Sequence, residues 1–155
     1  MKNLGLACDR IGPRGATALG DAIEQNAGLV DLDLYGNTIG DEGSKALAKA
    51  LGRNSSIETI NLGHNGIGDS GAEALAQALR TNDSIRKIGL AFNGIGDAGS
   101  RALANGIGHN YAIKEMNLGH NPTSQLCDFA ALIIQINNGL TQVSLDRLNV
   151  GPEDL

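Results

Sequence analysis

The chain has 155 residues, 41% of them hydrophobic, with 22 glycines, no tryptophan, two tyrosines and two phenylalanines. That length allows one domain with a continuous core, but a core so poor in aromatics must be filled by Leu, Ile and Ala in thin, regular layers. The formal charge of -5, with both signs mixed along the chain, disfavours nucleic acid, and no apolar run approaches the roughly 20 residues of a membrane span.

The opening, MKNLGLACDR, lacks a signal-peptide core and cleavage site. The expected location is therefore the cytoplasm. Cys8 and Cys127 then read as free thiols. They lie about four units apart in the organisation described next, too far for a disulfide within one chain.

In chain order, the apolar residues that open successive segments are Leu29, Ile57, Ile85 and Ile113, each 28 residues after the last, and then Leu140 after 27. Counting back from Leu29 lands on Met1. The chain is thus read as one domain over 1–155, built of units at 1–28, 29–56, 57–84, 85–112 and 113–139, with a partial unit at 140–155. The second unit gives the skeleton: Leu29, Leu32, Leu34, Asn37, Ile39, Gly40, Asp41, Gly43. The third repeats it as Ile57, Ile60, Leu62, Asn65, Ile67, Gly68, Asp69, Gly71, and the fourth as Ile85, Ile88, Leu90, Asn93, Ile95, Gly96, Asp97, Gly99.

Within a unit, Leu32-x-Leu34 alternates and predicts a short strand with one buried face. After Asp41 the spacing changes to Ala46, Leu47, Ala50, Leu51, which predicts a helix. The Gly-Asp pairs 40/41, 68/69 and 96/97 read as a turn glycine followed by a helix N-cap. Asn26, Asn54, Asn82 and Asn110 read as left-handed C-caps. Asn37, Asn65, Asn93 and Asn121 form a column whose amides must be satisfied by neighbouring turns if they are buried. Asp9 replaces Asn in the first unit and Leu148 in the last.

The fifth unit departs from the pattern. Asn121-Pro122-Thr123-Ser124 replaces the usual turn, with Ser124 as an expected N-cap. The helix expected over about 125–136 carries Leu126, Phe129, Leu132, Ile133, Ile134 and Ile136, apolar enough for a cap or contact surface. In the sixth unit Val150-Gly151-Pro152 matches Ile11-Gly12-Pro13 of the first. Neither end shows a polar cap of the kind repeat arrays need for solubility, so either a longer array or self-association through the ends is expected.

The skeleton L-x-x-L-x-L-x-x-N-x-I-G-D-x-G followed by an Ala/Leu helix resembles the leucine-rich repeat, in its 28-residue ribonuclease-inhibitor-like form. Similar units occur in Ran GTPase-activating proteins and in nucleotide-binding leucine-rich-repeat receptors. The resemblance covers nearly the whole chain. It implies an α/β fold, a right-handed horseshoe segment with a parallel sheet on the concave face and helices on the convex face.

In that architecture the third, fifth, seventh and eighth residues of each unit are expected on the concave face. Tyr35 and Phe92 are the aromatics among them, and aromatics are the usual interface anchors. The expected partner-binding residues are Tyr35, His64, Phe92 and His120, with Asp31, Asp33, Lys87 and Arg147 at the margins. His64 and His120 fall two strands apart with no third ligand in their column, so no metal is expected. Cys8 and His64 lack an orienting acid, so no catalytic residue is expected. The glycine-rich turns lack G-x-x-x-x-G-K-[ST], and no cofactor is expected. Asn54-Ser55-Ser56 and Asn82-Asp83-Ser84 fit the N-glycosylation pattern but are discounted without a secretion signal.

The function these features favour is a non-enzymatic scaffold that binds a protein on its concave face. Two alternatives stand beside it: a GTPase-activating regulator of a small GTPase, which the repeat type alone supports and whose Ran-directed acidic tail is missing, and a ligand-sensing fragment of a larger receptor, which the uncapped ends favour.

Overall fold

The computed structural model describes residues 1–124, 132, 133, 135, 137 and 139–145. Short strands alternate with helices: β1 (Asn3–Gly5), α1 (Pro13–Gln25), β2 (Asp31–Asp33), α2 (Gly40–Leu51), β3 (Thr59–Asn61), α3 (Asp69–Leu79), β4 (Lys87–Gly89), α4 (Asp97–Gly108), β5 (Glu115–Asn117) and β6 (Gln142–Ser144). The strands form one open parallel sheet in sequence order. The register follows the period: Asp31 pairs with Thr59, Thr59 with Lys87 and Lys87 with Glu115, whereas Glu115 pairs with Gln142 across the shortened fifth unit. The result is a right-handed solenoid with the sheet on its concave face and the helices on its convex face.

One unit cannot bury its own apolar side, so the core forms between units. Leu32, Leu34, Ile39, Leu47 and Leu51 of the second unit are all buried. So are Ile60, Leu62, Ile67, Leu75 and Leu79 of the third. Small residues let the helices approach: a Cβ on Gly106 of α4 would stand 2.5 Å from the Ala76 carbonyl oxygen of α3.

The asparagine column is buried or half-buried and bonded across units, as the stacking requires. Asn37 Nδ2 donates to the Leu6 and Leu34 carbonyls at 2.8 and 2.9 Å, and its Oδ1 accepts from Asp9 N and Ile11 N. Asn93 repeats this, donating to Leu62 and Leu90 and accepting from Asn65 N and Ile67 N.

The helix ends differ from the sequence expectation. Asn26 is extended, with φ -95 and ψ 122, and Asn54, Asn82 and Asn110 are not in the left-handed region either. They build a second buried ladder instead. Asn54 Nδ2 donates back to the Ile23 and Asn26 carbonyls, and its Oδ1 accepts from Ser56 N and Ile57 N. Asn82, Asn110 and Asn137 donate in the same way to the unit before. Each amide therefore ties a helix end to its predecessor and starts the next strand.

The aspartates also act between units and do not cap their own helices. Asp41 Oδ1 accepts from Gly68 N at 2.7 Å and Gly71 N at 2.9 Å, at the start of α3. Asp69 Oδ1 accepts from Gly96 N and Gly99 N at the start of α4. Asp97 accepts from Ser124 N and from the hydroxyls of Thr123 and Ser124. The Asp41 and Asp69 carboxylates thus sit at the positive ends of α3 and α4. Gly71 has to lack a Cβ, which would stand 2.7 Å from Asp41 Oδ1. The expected helix over 125–136 lies largely outside the described residues, with Leu126, Phe129, Ile134 and Ile136. Within it, Ile133 is buried and Leu132 packs against the core. Cys127 and Val150-Gly151-Pro152 also lie outside.

Candidate functional site

The concave face holds a shallow groove of about 420 Å³ across β2 to β6. Third- and fifth-position residues line it, as alternation on a strand requires. The fifth position also closes a turn. Asp33 Oδ1 accepts from Tyr35 N at 3.1 Å, Asn61 Oδ1 from Gly63 N at 3.1 Å and Asn117 Oδ1 from Gly119 N at 3.0 Å. The carboxyl and amide types here thus have a structural part as well as a surface one.

The seventh position breaks the expectation. Gly63, Ala91 and Gly119 are buried, not exposed. The Tyr35 ring covers Gly63, where a Cβ would meet the ring carbon Cδ2 at 2.8 Å. The eighth position is not strand either. Cys8, Gly36, His64, Phe92 and His120 all adopt the left-handed conformation, with φ of 61, 72, 54, 57 and 57°. Gly36 takes this at no steric cost. A residue as bulky as Phe92 does so against a cost of about 1–2 kcal/mol.

This turn brings together four of the expected binding residues in two ring pairs. Tyr35 meets His64 edge to face, with centroids 6.0 Å apart and planes at 75°. Phe92 stacks on His120, with centroids 4.0 Å apart and planes at 9°. The Phe92 side is 44% exposed. The pairs run along one rim of the groove over units two to five. His64 and His120 thus each pair with an aromatic ring, and no group of three metal-ligating side chains forms among the described residues.

The other expected residues lie in the groove. Lys87 and Glu115 form an ion pair at 2.7 Å on adjacent strands. Asp31 and Asp33 share the exposed side of β2, and no cation pairs with them among the described residues. The Asn3 amide, oriented to donate, reaches Asp31 Oδ2 at 3.0 Å. Arg147 lies outside the described residues.

Two features were not singled out from sequence. Tyr111 is 79% exposed, in the turn after α4 and away from the groove. Its signal was its place among the small and polar residues Ala27, Ser55 and Asp83 of the same column. A second shallow hollow, about 340 Å³, lies between α2 and α3 and is lined by Lys45, Lys49 and Arg53 over small residues. Lys45 pairs with Glu42 at 2.8 Å, which raises the lysine pKa through their hydrogen bond, and Arg53 pairs with Glu24. Asn54 and Asn82 of the glycosylation triplets are buried with both amide hydrogens donated. The folded chain offers no acceptor nitrogen at either one.

A family model described as Leucine Rich repeat matches residues 25–48, 53–76 and 81–104. None of the curated proteins matches the chain. Solved structures do. One is "Leiomodin-1 Actin-Binding Site 2 (ABS2)", at 19% identity and TM-score 0.72, covering 88% of this chain and 78% of that one. Another is the tropomodulin C-terminal domain of Caenorhabditis elegans, at 18% identity and TM-score 0.70, covering 90% and 86%. At such identity these neighbours speak to the fold. The matched repeats, with the 28-residue register and the asparagine ladder, make this chain a leucine-rich-repeat protein.

Proposed function

We propose that the chain is a non-enzymatic scaffold, working in the cytoplasm as one domain, that binds a protein partner on its concave face. The observation that carries this reading is the rim of two ring pairs beside an open groove. Phe92 keeps an exposed, sterically costly position there, and aromatic anchors at the edge of a rigid surface suit protein recognition. Because the sheet is already ordered by both ladders, binding costs little conformational entropy. The GTPase-regulator reading draws on repeat type alone, and no observation of the groove favours the receptor-fragment reading. The name of the leiomodin segment nominates one partner to try first, actin.

The test is capture of partners by the intact chain and by Tyr35→Ala and Phe92→Ala. Loss of a partner with either variant, with unfolding midpoints little changed, supports the reading. Equal capture by all three chains refutes it.

A further inference from the structure

The groove is not chemically uniform from end to end. At β4 and β5 its charges cancel, because Lys87 and Glu115 are paired at 2.7 Å. At β2 they do not. Asp31 and Asp33 project from the same face of one strand, and no ion pair reaches either among the described residues. A rim of rings then runs alongside, ending in the Phe92–His120 stack.

The floor carries a further asymmetry. Asn61 and Asn117 spend their side-chain oxygens on Gly63 N and Gly119 N. Neither Nδ2 makes a hydrogen bond to a described residue, and both side chains face the groove. Between them Gly89 contributes no side chain. Amide donors either side of a bare step suit an occupant that offers main-chain carbonyls.

From these observations we infer that the groove takes an extended segment of a partner protein, lying across the strands, with a basic side chain held by Asp31 and Asp33 and an apolar one on the Phe92–His120 rings. The inference rests on the protein-binding reading and names the chemistry of the partner. Its geometry sets a spacing. Strands are about 4.8 Å apart and rise about 3.3 Å per residue, so Asp33 and Phe92, two strands and three residues apart, are separated by ~14 Å. An extended segment spans that in about four residues. An acidic side chain at the first position would face two carboxylates, and one further along would have to displace Glu115 from Lys87.

The probe is a random dodecapeptide library displayed on phage and selected on the full chain, followed by anisotropy titration of labelled winners. The expected winners carry Arg or Lys about three to five residues from Leu, Phe, Tyr or Trp. The double variant Asp31→Asn with Asp33→Asn should weaken them by about tenfold or more. It keeps the acceptor for Tyr35 N, and Asn already serves that turn at Asn61 and Asn117, so it folds. Lys49→Ala on the helix face should leave binding unchanged. Winners without a basic residue, no winners at all, or equal binding to the double variant would each overturn the inference. If that happens while Tyr35→Ala or Phe92→Ala still abolishes capture of a protein partner, the protein-binding reading survives. If those two variants capture normally, that reading has failed on its own account.

Discussion

Asn65 is 1% exposed, and both its amide hydrogens go to carbonyls, those of Leu34 and Gly63, at 2.9 and 3.0 Å. Asn65→Asp removes both donors and sets a carboxylate against two carbonyl oxygens. It should cost more than about 3 kcal/mol, since burial of an unmatched charge adds to the lost bonds. A urea midpoint well below that of the parent checks this. Ser100 presents the opposite case. Its buried hydroxyl has no partner among the described residues, and alanine stands at the same place in other units, as Ala16 and Ala72. Ser100→Ala should be neutral or stabilise by about 1 kcal/mol, again read from the urea midpoint. For Phe92, two effects nearly cancel. Phe92→Gly relieves about 1–2 kcal/mol of left-handed strain and forfeits about 0.5–1.5 kcal/mol of ring stacking. The unfolding midpoint should hardly move, so a large loss would mean that the ring is kept for stability and not for a partner.

At the scale of the element, the Asp41 carboxylate belongs to α2 in sequence and to α3 in energy. Asp41→Ala should destabilise the chain by about 1–2 kcal/mol. Amide hydrogen exchange should accelerate first at Gly68 and Gly71, at the start of α3, and not at the start of α2. Exchange resolved by residue decides between the two. The sequence could not show this. An aspartate one residue after a glycine has the same spacing whether it caps its own helix or the next one, and only the distance across the stack separates them. The strand register, by contrast, was fully legible, because a strict 28-residue step leaves one way to pair Asp31 with Thr59 and Thr59 with Lys87. The site was legible in part. Alternation placed Asp31, Asp33 and Lys87 in the groove. It misjudged Gly63, since nothing local says that Tyr35 from the preceding unit lies over it. It also missed the left-handed turn, because Cys8, His64 and Phe92 are not residues that favour positive φ, and Gly36 alone hinted at it.

At the scale of the whole molecule, the contacts between described helices and between described strands join successive units, so length is an adjustable quantity. Duplicating 57–84 inserts a unit whose ladders, cap and strand all match those on either side. The longer chain should fold. Its urea m-value should rise by about a sixth, in line with the 28 residues added to 155. A broadened or two-step transition would show that the units do not couple as the ladders imply.

The direction of the inter-unit bonds has a consequence for how the chain is made. Asp41 serves a helix that leaves the ribosome after it, and Asn54 and Asn82 reach back to carbonyls already synthesised. A newly emerging unit therefore meets a finished template: a carboxylate waiting for its first turn, carbonyls waiting for its amides and an open strand edge. Assembly in the order of translation leaves each polar group exposed only until the next unit arrives. Synthesis and stacking thus share one polarity, and the nascent end is always the one that still needs a neighbour.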